Sequence, residues 1–339
     1  MAYVLGGSNN EADGFTTAIA NFALRAMHES NGLVNMTNVV TPTQGNEFLV
    51  PTFQAITYQD YVPSATGGSA GYGNADIQNP SLGQGSITAT PAVATTSFDV
   101  FYSWTTSFQL AATLGGELGE SFAEKVDQRV TKAFLSFKAT AGNTMEAQSA
   151  DGFYRVAALG AMELIPDGAT ATTATAGFTS NTVTEMVRNI KQNFKVARMP
   201  GSPVIVIDSN GNDGVVGSTL NRLLAELTGG AVSQSGGSNL SALGNELLSS
   251  GKIENIYGCQ VMSTTFLPTA SRTVAGTAGT SLVGAYFGDS ALFTVIKEGL
   301  QIKTGEAPQG LQQWLTGLGY FGAGVGDGRR GGAINIVQG

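Results

Sequence analysis

An α+β fold is predicted for this chain, because one stretch has the spacing of a long helix while others have the composition of strands. Apolar residues recur every three or four positions over 117–138, which predicts a helix with one buried face. The segments 47–62 and 203–207 are rich in β-branched and aromatic residues, which favours strands. With 339 residues, the chain is long enough to bury a substantial core.

The composition argues against an ordinary enzyme. Charged residues make up only 12% of the chain, and there is one cysteine, Cys259, and one histidine, His28. A single cysteine rules out internal disulfides, and a single histidine weakens most metal and acid–base schemes. We therefore predict no catalytic residue, no metal site and no cofactor. No apolar run reaches the length of a membrane-spanning helix and no signal peptide is recognisable, so we expect no membrane partner.

The negative charge is concentrated in one segment. The net charge is −8, and no lysine or arginine occurs between Arg25 and Lys125. That segment holds eight acids: Glu29, Glu47, Asp60, Asp76, Asp99, Glu117, Glu120 and Glu124. One interpretation is a weakly acidic, soluble surface. The other is that the segment lies on the positive surface of a neighbouring molecule, with Asp60 and Asp76 as candidate intersubunit contacts.

The first hundred residues read as an arm followed by an extended hairpin. Residues 1–46 are predicted to be an arm with a short helix over Phe15–Met27. A strand over 47–62 is followed by a Gly- and Pro-rich excursion, 63–96, and a second strand is predicted over Thr96–Trp104. An excursion of this length has little core of its own, so we expect it to pack on a neighbouring molecule.

Basic side chains mark further candidate contacts. Arg129 and Lys132 lie on the helix predicted at 117–138 and would meet the acidic loop of a neighbour. A second helix is predicted at 182–196, opened by a capping box, and its basic face comprises Arg188, Lys191, Lys195 and Arg198. That face is a solvated edge, a docking surface for an acidic subunit, or a nucleic-acid contact. Arg329 and Arg330 are predicted to pair with carboxylates of a neighbour.

Two stretches resemble fragments of a catalytic site. Ile205–Gly211 resembles the aspartate strand of subtilisin-like proteases, and Gly279–Gly284 resembles their serine motif. That mechanism needs a histidine between the two, and none lies between Asp208 and Ser281. We therefore interpret both stretches as turn chemistry at strand ends.

Taken in order, these segments resemble the major capsid proteins of tailed double-stranded-DNA bacteriophages, which have the Hong Kong phage (Johnson) capsid fold. Asn46–Tyr61 and Thr96–Trp104 match the strands of that family's extended loop, and Leu118–Ala123 (LGESFA) matches the opening of its spine helix. The later segments match its axial domain and last strands: helix 182–196, Pro203–Asp208, helix 219–228, Gly251–Val261, Tyr286–Leu292 and Gly331–Ile336.

The resemblance implies a division of the chain and a role. It implies an N-terminal arm at 1–46, an extended loop at 47–110, a peripheral domain at 111–178 and 320–339 with the spine helix at 117–138, and an axial domain at 179–319. It also implies a subunit that assembles with copies of itself, as pentamers and hexamers, into an icosahedral shell around double-stranded DNA in the virion, assembled in the host cytoplasm.

Other partners follow from the resemblance and from departures from it. Some members cross-link through a loop lysine, but residues 47–110 contain none, so stability must come from interlocking loops, arms or a cement protein. An arm of ordinary length implies a separate scaffolding protein, alongside a portal and weak, non-specific contact with packaged DNA. The alternative is a self-assembling surface-array or adhesin protein, given the Thr, Gly and Ala content.

Overall fold

The computed structural model describes most of the chain, namely residues 23, 32–42, 45–53, 82–139, 144–145, 156–165, 178–180, 182–209, 219, 222–223, 226, 256–274, 277–306 and 312–337. Three sequence predictions lie outside these ranges or largely so: the helix over Phe15–Met27, the excursion up to residue 81, and the contacts of Asp60 and Asp76.

Strands dominate the described chain, and two longer helices accompany them. The helices are α1 (Val100–Ala133) and α2 (Val183–Val196). The strands are β1 (Asn38–Val40), β2 (Glu47–Phe53), β3 (Leu82–Thr88), β4 (Thr90–Asp99), β5 (Thr144–Met145), β6 (Val156–Ala158), β7 (Met162–Leu164), β8 (Phe178–Ser180), β9 (Val204–Asp208), β10 (Gln260–Thr264), β11 (Thr269–Val274), β12 (Thr277–Phe287), β13 (Leu292–Glu306), β14 (Gln312–Val325) and β15 (Gly331–Val337).

A seven-stranded mixed sheet holds most of the core. Its strand order is β10-β9-β12-β15-β7-β8, and β11 pairs with β12 at its side. The apolar run Ile205–Ile207 of β9 is fully buried, as expected for a strand covered on both faces. Helix α2 packs on this sheet through Met186, Val187 and Ile190, which are also fully buried. This sheet and α2 therefore form a unit with its own two-sided core.

A second sheet of four strands, ordered β1-β13-β14-β4, lies against α1. Strand β14 alternates buried and half-buried residues along Leu315–Phe321, which is the pattern of a sheet covered on one face. The ring of Phe122 on α1 occupies the space that a Cβ would need at Gly319 of β14. A side chain at Gly319 would therefore push the helix away from the sheet.

Helix α1 is longer at its start than the sequence predicts. It begins at Val100 rather than at residue 117, so the prediction of strand over Val100–Trp104 is wrong. Strand preference of aromatic and β-branched residues depends on context, and here a continuous helical hydrogen-bond ladder extends back from the strong helix further on. The predicted end at residue 138 is also late, because α1 stops at Ala133 and a short 3-10 turn, Phe134–Ser136, follows.

The extended hairpin exists, but its second strand is not the predicted one. Strand β2 pairs in antiparallel register with β3, from Glu47 opposite Thr88 to Phe53 opposite Leu82. The segment starting at Thr96 belongs to β4, which pairs with β14 along its whole length. The part of the excursion from Leu82 onward is therefore folded on its own chain, contrary to the expectation that all of 63–96 lacks such support.

The start of α2 has the N-cap hydrogen bond of the predicted capping box. Thr182 Oγ1 accepts a hydrogen bond from the Glu185 backbone N–H at 3.2 Å. The carboxylate of Glu226 adds a second cap, since it accepts from the backbone N–H groups of Val183 at 2.8 Å and Thr184 at 2.7 Å. Of the segment Gly251–Val261, residues 256–259 make a tight turn before β10, and residues 251–255 lie outside the described ranges.

No helix in the described part of the chain combines the length and the apolar character that crossing a membrane would require.

Candidate assembly surfaces

The exposed face of α1 carries most of its charged side chains. Glu117, Glu120 and Glu124 are exposed and recur at the three- and four-residue spacing that places them along one side of a helix. Glu124 accepts a hydrogen bond from Gln128 Nε2 at 2.9 Å. Lys132, predicted to contact a neighbour, is also exposed, so its side chain is available for such a contact.

Arg129 has a role within its own chain. Its guanidinium Nη1 donates to the carbonyl oxygens of Thr90 at 2.8 Å and Phe321 at 2.5 Å, and Nη2 donates to that of Pro91 at 3.2 Å. The guanidinium carbon also lies 4.2 Å from the centre of the Phe321 ring. Partial burial lowers the pKa of Arg129. The side chain thus connects α1 by hydrogen bonds to β4 and β14 where these strands pair. Its contact with a neighbour's acidic loop stays a prediction.

The basic face predicted on α2 is present, and its members differ in exposure. Arg188 is exposed and lies 3.9 Å from Glu185 one turn earlier. Lys191 is half-buried, and its Nζ donates to the carbonyl of Gly258 at 3.4 Å. Lys195 and Arg198 are exposed. Arg188, Lys191 and Lys195 therefore recur at the spacing of one helix face, and Arg198 follows two residues after the end of α2.

Arg329 and Arg330 pair with an acid of their own chain, and their pairing with carboxylates of a neighbour stays a prediction. The Arg329 guanidinium donates two hydrogen bonds to the Asp327 carboxylate, from Nε to Oδ1 at 2.9 Å and from Nη2 to Oδ2 at 3.0 Å. Arg330 Nε lies 3.4 Å from Oδ2 of the same residue. Burial would raise the pKa of Asp327, but hydrogen bonds to Arg329 and the charges of both arginines lower it below its usual range. Sequence reasoning missed Asp327, although an acid two residues before an Arg pair is a recognisable signal.

Several large apolar side chains are exposed outside the core. Val93 of β4 is 62% exposed and Leu49 of β2 is 52% exposed. An open groove of about 350 Å³ runs between β4 and α1, and Leu118, Phe122 and Leu300 line it beside Val93. Strand β4 is an edge of its sheet, so the backbone groups on its outer side have no strand partner in the described sheet. This part of the molecule presents the kind of surface that another chain covers.

A contact missed by sequence reasoning ties the N-terminal arm to α1. Ala23 is fully buried, and its backbone passes so close to Gly119 that a Cβ there would overlap it. A glycine on an otherwise regular helical stripe is the signal that marks such a close approach.

The residues resembling a protease site have structural roles. Asp208 is buried at the end of β9, and Ser281 Oγ donates to the carbonyl of Ala270 at 3.4 Å across the β11–β12 pair. Within the described ranges, no group of three histidine, cysteine, aspartate or glutamate side chains is arranged to hold a metal ion.

Comparison with known proteins connects this fold to viral shells. No family model matches the sequence, and no curated protein matches it. Among solved structures, the capsid of the cyanophage P-SCSP1u is similar with a TM-score of 0.57 at 15% identity, over 90% of this chain and 87% of that chain. The capsid of a native GTA particle gives a TM-score of 0.56 at 12% identity, over 91% of both chains.

A third similar structure comes from outside the phages. The virus-like particle from Pyrococcus furiosus gives a TM-score of 0.51 at 9% identity, over 94% of this chain and 99% of that chain. The similarity spans nearly the whole length on both sides in each comparison, which makes it a similarity of complete folds. The chain therefore has the α+β fold of tailed-phage capsid proteins, the Johnson fold that its sequence resembles.

Proposed function

We propose that this protein is the major structural subunit of a viral capsid and that it has no catalytic activity. The single observation that carries the proposal is the shared fold with capsid proteins over about nine-tenths of the chain. Copies of the subunit would form pentamers and hexamers, which close into an icosahedral shell around double-stranded DNA. The subunit would act in the virion after assembly in the host cytoplasm.

The exposed apolar surfaces support this role. Val93, Leu49 and Trp314 are 62%, 52% and 37% exposed, and they lie in the hairpin and the four-stranded sheet rather than in the seven-stranded unit. Apolar surface of this kind gains free energy when a second copy covers it. The hairpin and the four-stranded sheet therefore expose apolar surface that neighbouring copies would cover in a closed shell.

The proposed division of the chain follows the sequence with two amendments. The arm (1–46) is kept. The extended loop predicted at 47–110 ends by Asp99, because the spine helix of the peripheral part begins at Val100, and the axial part predicted at 179–319 is shortened. Strands β13 and β14 pair with β1 and β4 and contact α1, so we assign them to the peripheral part instead of the axial one. The axial part then corresponds to α2 and most of the seven-stranded sheet.

The proposal includes partners beyond copies of the chain. A separate scaffolding protein would direct the curvature of the shell, a portal would occupy one vertex, and a cement protein would strengthen contacts that lack a covalent cross-link. Contact with packaged DNA would be weak and non-specific, since the sequence holds no long run of basic residues. A surface-array or adhesin protein, the alternative class, would form open sheets or fibres instead of closed shells.

Electron microscopy of the expressed chain tests the proposal. The chain would be expressed alone and together with the open reading frames beside its own, which would supply the scaffolding protein. We expect closed shells of uniform diameter, which sediment far faster than the 34.8-kDa subunit. Open two-dimensional sheets would support the array alternative. Monomers under every condition would contradict the proposal.

A further inference from the structure

A strained turn projects an aromatic ring from the seven-stranded unit. Residues 256–259 form a two-residue turn, closed by Ile256 N–H to the Cys259 carbonyl at 2.9 Å and Cys259 N–H to the Ile256 carbonyl at 2.8 Å. Its two central residues have positive φ angles, 52° at Tyr257 and 73° at Gly258. Such turns favour Asn, Asp or Gly at the first central position, so a tyrosine there is strained. The residue is nevertheless 57% exposed, so burial in its own chain does not account for its presence.

The turn is joined to the basic end of α2. The Nζ of Lys191 donates to the Gly258 carbonyl, and a Cβ at Gly258 would lie 3.3 Å from that nitrogen. Val196, in the last turn of α2, is 54% exposed. The exposed residues Arg188, Lys195, Val196 and Arg198 in and just after α2, together with Tyr257 of the turn, are called the α2 patch below.

The cations of the α2 patch are poorly neutralised within the chain. Among the described residues, the Arg188 side chain approaches one acid, Glu185 at 3.9 Å, and is 65% exposed. Lys195 and Arg198 are exposed, and their side chains make no ion pair or hydrogen bond within the part of the chain that the structure describes. Tyrosine and arginine around an exposed aliphatic residue make up a composition that is typical of protein interfaces rather than of free surface.

The acidic face of α1 has the matching charge and spacing. Glu117, Glu120 and Glu124 are exposed, and Glu117 and Glu120 make no ion pair among the described residues. Arg188 and Lys195 are seven residues apart on α2, as are Glu117 and Glu124 on α1, and at 1.5 Å per residue each row spans about 10.5 Å. Both rows keep the three-then-four spacing of a helix face, since Lys191 and Glu120 occupy the middle positions.

We propose that the α2 patch of one copy docks on the acidic α1 face of a second copy. The inference rests on the proposed shell function and deepens it by naming the two surfaces that meet. Tyr257 and Val196 supply the apolar contact, and the matched rows of charge fix the register between the copies. A nucleic acid would use the cations alone. It would account neither for the exposed Val196 nor for the matching acidic row.

A charge-swap experiment tests the pairing. K195E/R198E and E117K/E120K should each lower the yield of shells at least tenfold, and the variant carrying all four substitutions should recover to within threefold of the unmodified chain. The matched control is E298K/K303E, which reverses two exposed charges on β13 and should change the yield less than threefold. Circular dichroism and thermal unfolding of each purified subunit would establish that the variants fold.

Three outcomes would overturn the inference while leaving the shell function intact. The first is that the four-substitution variant fails like its parents although it folds. The second is that either two-substitution variant forms shells normally. The third is that K195E/R198E forms normal shells with less packaged DNA, which would assign the α2 patch to nucleic acid.

Disulfide trapping tests the contact even without shells. Chains carrying E120C would be mixed with chains carrying K195C at high concentration, and the native Cys259 is fully buried and adds little background. We expect a disulfide-linked dimer in the mixture and at least tenfold less with E120C paired to K303C. Equal yields in the two mixtures would overturn the inference. Absence of shells from the unmodified chain, with the specific dimer still formed, would count against the shell function alone.

Discussion

The two sheets differ in how completely their own chain covers them. In the seven-stranded sheet, Val206, Val283 and Ile334 from three adjacent strands are all fully buried. In the four-stranded sheet, no residue of β4 from Thr90 to Ser97 is buried, and Val93 is 62% exposed. Covering both faces of a sheet removes most of its apolar surface from water. When only one face is covered, the apolar surface of the other face stays in contact with water unless a partner covers it.

This difference in coverage indicates which part of the subunit is completed by assembly. The seven-stranded unit contributes most residues of the largest buried cluster, and α1 and the four-stranded sheet contribute others, among them Val130 and Phe321. The four-stranded sheet and the β2–β3 hairpin also share a small separate cluster of buried residues, namely Val50, Ile87, Ala89 and Val295. We expect substitutions of buried residues in the first region to lower the stability of the subunit, and substitutions of exposed residues in the second region, as in the α2 patch, to alter the formation of shells.

The largest effect on stability is expected from the same Val→Ala substitution made once in each region. V206A removes two methyl groups from a fully buried site and should lower the free energy of unfolding by about 2–3 kcal/mol. V93A, at a 62% exposed site, should change it by about 0.5 kcal/mol or less. Urea unfolding of the unassembled subunit measures both values. Equal losses at the two sites would contradict the distinction between the regions.

Two glycines of β12 allow a closely packed position and an open one to be compared within a single strand. A Cβ at Gly284 would lie 2.5 Å from the Val206 carbonyl oxygen, whereas one at Gly279 meets nothing within 4 Å. G284A should therefore destabilise the subunit by about 1–3 kcal/mol through overpacking, and G279A should be nearly neutral. Thermal unfolding of the two variants under one set of conditions checks this. A neutral G284A would mean that the centre of this sheet is loosely packed.

Asp127 tests the cost of burying charge beside the core. Asp127 is 8% exposed, its Oδ1 has no hydrogen-bond partner among the described residues, and burial raises the pKa of its carboxyl from 3.8 to about 6. Between those values the folded state holds a proton that the unfolded state has released, so stability falls as pH rises from about 4 to 6. D127N should remove this fall and stabilise the subunit at pH 7 by about 1–2 kcal/mol.

Urea unfolding of the unmodified chain and of D127N between pH 4 and pH 7 measures the difference. Other groups titrate equally in both proteins, so the difference isolates Asp127. A difference that does not vary with pH would place the cause in packing and not in protonation.

The smallest effect is expected at the surface pair of Asp327 and Arg329. The arginines lower the pKa of Asp327, so the contribution of this residue is present above pH 3.8 and is lost as the pH falls below that value. D327A should cost about 0.5–1 kcal/mol at pH 7, because the pair is partly exposed. E298A, at an exposed acid of β13, is the control and should cost nothing measurable. A loss that persists unchanged at pH 3 would contradict the electrostatic explanation.

The sequence predicts best those elements whose pattern is set by local chemistry. Helix α2 with its Thr182 cap, strand β9 and the closing strand β15 agree with prediction to within one or two residues. Each combines a clear hydrophobic period with a terminating signal, and each is buried in the unit that holds its own core.

Elements defined by distant pairing were predicted poorly. Nothing local in Thr96–Trp104 reveals that Asp99 ends a strand held by β14 and that Val100 starts a helix. The partner of β2 was likewise misassigned, since Leu82–Thr88 is rich in glycine and polar residues and reads as loop. Helical spacing in the sequence placed Arg188, Lys191 and Lys195 on one helix, whereas Arg198 lies beyond its end. The intrachain partners of Arg129 and Arg329 depend on segments remote in sequence or on a short turn.

Hydrogen–deuterium exchange, compared between the unassembled subunit and purified shells, tests whether assembly covers the part of the molecule that its own chain leaves exposed. We expect the backbone amides of residues 45–53 and 90–97 to exchange at least tenfold more slowly in shells than in the unassembled subunit. Residues 204–208 and 331–336 should already be protected in the subunit and should change little. Unchanged exchange over 45–53 and 90–97, or new protection confined to the seven-stranded sheet, would contradict the claim that assembly completes the exposed half of the molecule.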